Sequence, residues 1–104
     1  MVSIVANLPI TEVEGYYQIL GPEHPQVATD LNNLADVYYV QGRYADAEPR
    51  YQHALALREK ALGPEHPDVA QTRNNYVALL RATNRDAEAA QLEAQGKATY
   101  RHYP

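Results

Sequence analysis

The chain contains no cysteine, no phenylalanine and no tryptophan, and Ser3 is its only serine in 104 residues. Without cysteine there is no disulfide, no thiolate nucleophile and no cysteine-based zinc site. The composition fits a reducing cytoplasm. A single serine near the start, with no GxSxG, P-loop or HExxH pattern, leaves little for catalysis to stand on. Every aromatic residue is a tyrosine, nine in all. A core drawn from Ala, Leu, Val and Tyr is thin per residue and favours close helix–helix contact. Lys/Arg blocks are also absent. A net charge of −4 and a pI near 5.4 argue against nucleic acid and anionic membrane surfaces as partners, since both bind basic patches. No apolar run approaches the roughly 18 residues of a membrane span. The opening MVSIVANLPI lacks the basic start and length of a signal peptide. These absences predict a soluble, cytoplasmic protein that is not an enzyme and carries no cofactor or metal.

What is present is a repeat. Residues 20–61 laid over 62–103 give 14 identities in 42 positions. They include Leu20–Pro25 with Leu62–Pro67, both reading LGPEHP, and Asn32-Asn33 with Asn74-Asn75. A unit of this size points to a solenoid. Each unit reads as two amphipathic helices. Val27, Leu31, Leu34, Ala35 and Tyr38 form one face at a 3.6-residue period. Tyr44, Ala47, Tyr51, Ala54, Leu55, Arg58 and Leu62 form another. The spacing predicts helices over 26–41, 44–61, 68–82 and 86–100. Gly42 suits a left-handed C-cap. Pro49 removes a hydrogen bond near the start of the second helix, and Asp46 is spaced to pair with Arg50.

The repeated hexapeptide reads as an instruction to stop, turn and start again. Gly21 and Gly63 can take the left-handed cap, and Pro22 and Pro64 forbid continuation. Pro25 and Pro67 sit where a first helical turn tolerates proline. His24 and His66 fall at or near the N-cap, and Asp68 complements the helix dipole. A metal or acid–base role for the Glu-His pairs lacks a recurring third ligand. His53 and His102 add no ligand spacing. Residues 1–19 fit the repeat poorly. Thr11 and Glu14 form a capping-box pattern, so a short helix over about 12–20 is expected, weakened by Gly15. The expected organisation is an N-terminal segment at 1–19, one unit at 20–61 and a second at 62–104, in one domain.

The stretch LNNLADVYYVQGRYADAEPRYQHALALREKALGPEHPDVA, residues 31–70, resembles the tetratricopeptide repeat, and in particular the 42-residue kinesin-light-chain subclass. The resemblance covers about 20–100. Leu34, Ala35, Tyr38, Gly42, Tyr44, Ala47, Tyr51 and Ala54 match the packing positions of that family. The second unit departs from it with Tyr76, Leu80, Asn84, Asp86, Glu93 and Gly96, and its polar last helix resembles the terminal unit of an array. The resemblance implies an all-α fold: a right-handed superhelical solenoid of antiparallel helix pairs, about five helices in all.

It also implies a function carried by surface. The first helices of such repeats line a concave groove for a peptide or partner protein. The first Asn of each LNNLA-type motif, here Asn32 and Asn74, is implied to grip a peptide backbone, for which an amide supplies both donor and acceptor. Thr29, Asp36 and Tyr39, then Gln71, Ala78 and Arg81, share that stripe, while Asn33 and Asn75 are assigned to contacts between helices. The competing reading is self-association into a homodimer, with helices possibly exchanged, because about three stacked repeats normally make a stable solenoid. Tyr16, Tyr17, Ile19 and Leu20 would then cover an apolar edge or pair with another copy. A fragment of a longer array is the third reading.

Overall fold

The computed structural model describes residues 24–101, and those residues hold four α-helices and no strand. They are α1 (Pro25–Val40), α2 (Tyr44–Leu62), α3 (Pro67–Ala82) and α4 (Asp86–Arg101). Every predicted boundary lies within one residue of its observed position. The expected helix over 12–20 and Gly21 lie outside the described residues. Connections this short force consecutive helices to fold back on one another, so α1–α2 and α3–α4 form two helix pairs.

Local chemistry explains the boundaries. His24 and His66 are the N-caps of α1 and α3, each with extended backbone. The Nδ1 of His24 accepts from the Gln26 amide at 3.0 Å, and that of His66 accepts from the Asp68 amide at 3.0 Å. An imidazole nitrogen thus does the work that a Ser or Asp oxygen usually does, satisfying an orphan amide of the first turn. At the other end, Gly42 lies at φ +77°. The Gly42 and Arg43 amides donate to the carbonyls of Tyr39 and Tyr38, completing the left-handed cap. Asn84 closes α3 in the same way at φ +61°, its amide and that of Arg85 donating to Arg81 and Leu80.

Two expectations are corrected. Gly63 does have positive φ, at 90°, but its ψ of 150° lies outside the left-handed helical region. The turn is therefore closed by the His66 amide donating to the Gly63 carbonyl. Asp46 does not pair with Arg50 through its carboxylate. Arg50 donates to the Asp46 carbonyl, and the carboxylate takes Arg43 at 3.0 Å. α2 accommodates Pro49 within its length, with the ring exposed.

One cluster of buried side chains runs through both pairs, joining Ala35, Tyr38, Ala47, Tyr51 and Leu55 to Val69, Tyr76, Val77, Leu79, Leu80 and Ala89. Tyr51 and Tyr76 stack across the seam with ring centroids 6.5 Å apart. A second cluster fills the first pair with Val27, Ala28, Leu31, Ala54 and Leu57. Small residues at Ala35, Ala47 and Ala54 let the helices approach, and tyrosines fill the wider gaps. No described helix is long and apolar enough to cross a membrane.

Candidate functional site

The polar residues of α1 converge on the seam where α3 packs against the first pair. Asn32 Oδ1 accepts from the Thr72 hydroxyl at 3.2 Å and from Asn75 Nδ2 at 3.5 Å. Asn32 Nδ2 donates to Asp36 at 3.5 Å. Asp36 Oδ1 also accepts from the Tyr51 hydroxyl and from Asn75. Arg58 extends the strip. It donates to the Thr72 hydroxyl at 2.8 Å, to the Asp68 carbonyl at 3.2 Å and to the Thr29 hydroxyl at 3.3 Å. Thr29 in turn donates to the Pro25 carbonyl. Burial, with the hydrogen bond to the Asp36 carboxylate second, pushes the Tyr51 hydroxyl far above its ordinary pKa.

A second polar strip crosses the same seam. Gln52 donates to the Tyr76 hydroxyl at 2.7 Å, which donates to Glu48 at 2.8 Å. Arg85 reaches Glu48 at 2.6 Å and also grips Glu88. The hydrogen bond from Arg85 holds the Glu48 carboxyl below the usual carboxylate range despite its burial. Burial is the main reason that the Tyr76 hydroxyl is raised.

The predicted site residues therefore divide. Asn32 is only 3% exposed and its amide is engaged within the chain. It lies in the contact between helices, a place the sequence reading gave to Asn33, which is exposed. Asp36 and Thr29 are half-buried and bonded in the seam, and Tyr39 is half-buried with its ring edge-on to Tyr44. Gln71, Asn74, Ala78 and Arg81 are exposed, with Arg81 paired to Glu93. Asn75 makes the contact between helices expected of it.

The 42-residue register explains the split. A position exposed in both pairs is free surface: Val40 and Ala82 are such a match. A position buried in one pair only is a stacking surface whose neighbour is present once. Asn32 is covered by α3, and Asn74 has no equivalent cover among the described residues. Conversely, Leu79 is fully buried while Val37 is 51% exposed. Val37 and Val40, the latter 83% exposed, line a shallow hollow with Asp36 and Gln41.

Sequence reasoning placed Arg58 on the apolar face of α2, where it is indeed buried, but did not see it as the centre of a hydrogen-bonded strip. The signal was present in Thr72, whose hydroxyl stands at a position that the first unit gives to Asp30. Among the described residues no three His, Asp or Glu side chains group to hold a metal ion. A family profile described as Tetratricopeptide repeat matches residues 14–60 and again 28–102. A search of curated proteins finds no match. The two profile matches overlap and together take in most of the chain, which belongs to the tetratricopeptide repeat family.

Proposed function

We propose that this tetratricopeptide repeat protein binds an extended peptide or partner protein along the exposed side of α1 and α3, and that it belongs to the kinesin-light-chain-like subclass. The LNNLA, GRY and LGPEHPDVA motifs support the subclass. The observation that carries the binding reading is the pair Val37 and Val40, two of the three large exposed hydrophobics among the described residues, set beside the Asp36 carboxylate. Apolar surface rimmed by polar groups marks an interaction site. The exposed amides of Asn33, Gln71 and Asn74 supply donors and acceptors for a peptide main chain. Asn32, Asp36, Thr29 and Tyr39 contribute by fixing the spacing of the two helices. Arg81, paired to Glu93, stands at the far end of this face. No catalytic step is needed, and the work is done in the cytoplasm by shape and surface.

Peptide-display selection on the full chain, repeated on V40D, tests this. The expected result is an enriched peptide whose affinity falls by about tenfold or more in the variant. Equal binding by both proteins would remove the valine face from the site.

A homo-oligomer is the second reading, favoured by Val37. Its counterpart Leu79 is enclosed, so a second copy could close over Val37 as the first helix pair closes over Leu79. Light scattering over a dilution series decides it: a monomer at every concentration ends this reading and leaves the peptide reading intact.

A further inference from the structure

Among the core positions at which the two helix pairs differ, two that lie in one cluster change together. Leu31 and Ala54 belong to the second cluster, in the first pair, at 4% and 0% exposure. Forty-two residues on stand Arg73 and Gly96. Arg73 is 8% exposed, so a guanidinium lies where the first pair packs a leucine. Gly96 makes the space for it: a Cβ there would stand 2.9 Å from Nη1 and 3.1 Å from Cδ of Arg73. The nearest anion among the described residues is Glu59, with Oε2 at 3.8 Å from Nη2, beyond hydrogen-bond distance and itself 43% exposed. The Nε of Arg73 is buried without a partner.

Burying a guanidinium this way costs free energy unless its donors and charge are met. Arg73 lines an open cleft with Asn74, Glu93, Gly96 and Lys97. Glu93 also lines the cleft and feels the Lys97 charge, but its hydrogen bonds go to Arg81, so the Arg73 and Lys97 cations and the Asn74 amide are the groups that face a ligand. In the first pair the matching face receives a helix. α3 seats there and presents the Thr72 hydroxyl to Asn32 and Arg58. Asn74 is the counterpart of Asn32.

We propose that this cleft binds a carboxylate carried on a helix of a partner protein, presented where α3 presents Thr72. The carboxylate pairs with Arg73, whose planar fork suits it, with Lys97 adding charge and Asn74 a hydrogen bond. Asn74 is common to this site and the peptide face proposed above, but Val37 and Val40 line a different hollow, so loss of the valines leaves the Arg73 cleft intact.

The probe is a synthetic peptide of residues 67–82, the segment that fills the matching face, carrying T72E or T72Q. The readout on the full chain is the ¹⁵N–¹H signal of Arg73 Nε, assigned by its absence in R73L. The T72E peptide is expected to shift and saturate this signal, and T72Q to bind about tenfold more weakly or worse. R73L/G96A restores the Leu–Ala pairing of the first unit. It should stay helical by circular dichroism, melt higher and lose the discrimination between peptides. Lys97 is exposed, so K97A should keep the fold and weaken the T72E peptide by about threefold or more. An unmoved Nε signal, equal binding of the two peptides, or unchanged T72E affinity in K97A would overturn the proposal.

Discussion

The first and second helix pairs are built to one plan but meet different surroundings. Position 32 is enclosed and its counterpart 74 is exposed. Position 79 is enclosed and its counterpart 37 is half in solvent. The residue type is unchanged in the first case and nearly so in the second. What differs is whether another helix pair lies alongside. In a stacked architecture each unit leans on its neighbours, so the same side chain is core in one copy and surface in the next.

The strongest way to break the comparison is at 37 and 79. Leu79→Ala should cost about 2–5 kcal/mol, because a fully enclosed leucine leaves a cavity. Val37→Ala should stay within about 0.5 kcal/mol, as surface changes do. Urea unfolding of both variants provides the measurement, and comparable losses would mean that Val37 is enclosed in solution. The asparagines come next. Asn32→Ala takes away the acceptor of the Thr72 hydroxyl and one of the two acceptors of the Asn75 amide, at about 1–3 kcal/mol, while Asn74→Ala should change little. Equal effects would show that the seam bonds are not what the buried Asn supplies.

Alkaline pH tests the seam a third way. The native state holds the Tyr51 and Tyr76 hydroxyls above their ordinary value of 10.0, chiefly by burial. Their contribution is therefore complete below pH 10 and is lost as pH rises above it, because the unfolded chain ionises first. At pH 11 the loss from Tyr51 is about 1 kcal/mol. Melting temperatures between pH 8 and 11 should fall accordingly, and less steeply in Tyr51→Phe. A parallel decline in that variant would place the titration elsewhere. The smallest effect concerns the caps. Asn84 holds the left-handed conformation that Gly42 holds in the first pair. Asn84→Gly should therefore stabilise by a few tenths to about 1 kcal/mol, read from the same urea curves.

Much of this was legible in the sequence because the deciding forces are local. The caps at His24, His66 and Gly42 and the prolines at 25 and 67 fix helix ends through contacts a few residues long. Apolar periodicity then identified Val27, Leu31, Ala35 and Tyr38 as one buried face. The candidate site was read less well. Asn32 and Asn33 are adjacent, equally polar and equally suited to a helix surface. Which one faces the neighbouring pair depends on how α3 crosses α1, and no local pattern encodes that. Arg73 was passed over for the same reason. An arginine at a core position looks like surface until Gly96, 23 residues away in sequence, is seen to open the space beneath it.

By itself the sequence determined four helices, their ends, their pairing and their 42-residue repetition, since each follows from backbone sterics and short-range hydrogen bonds. Tertiary structure alone decided which polar side chains were drawn into the seam, which valines stayed outside it and where a guanidinium was left short of partners. Those outcomes turn on burial, and burial is a property of the neighbour that packs against a residue.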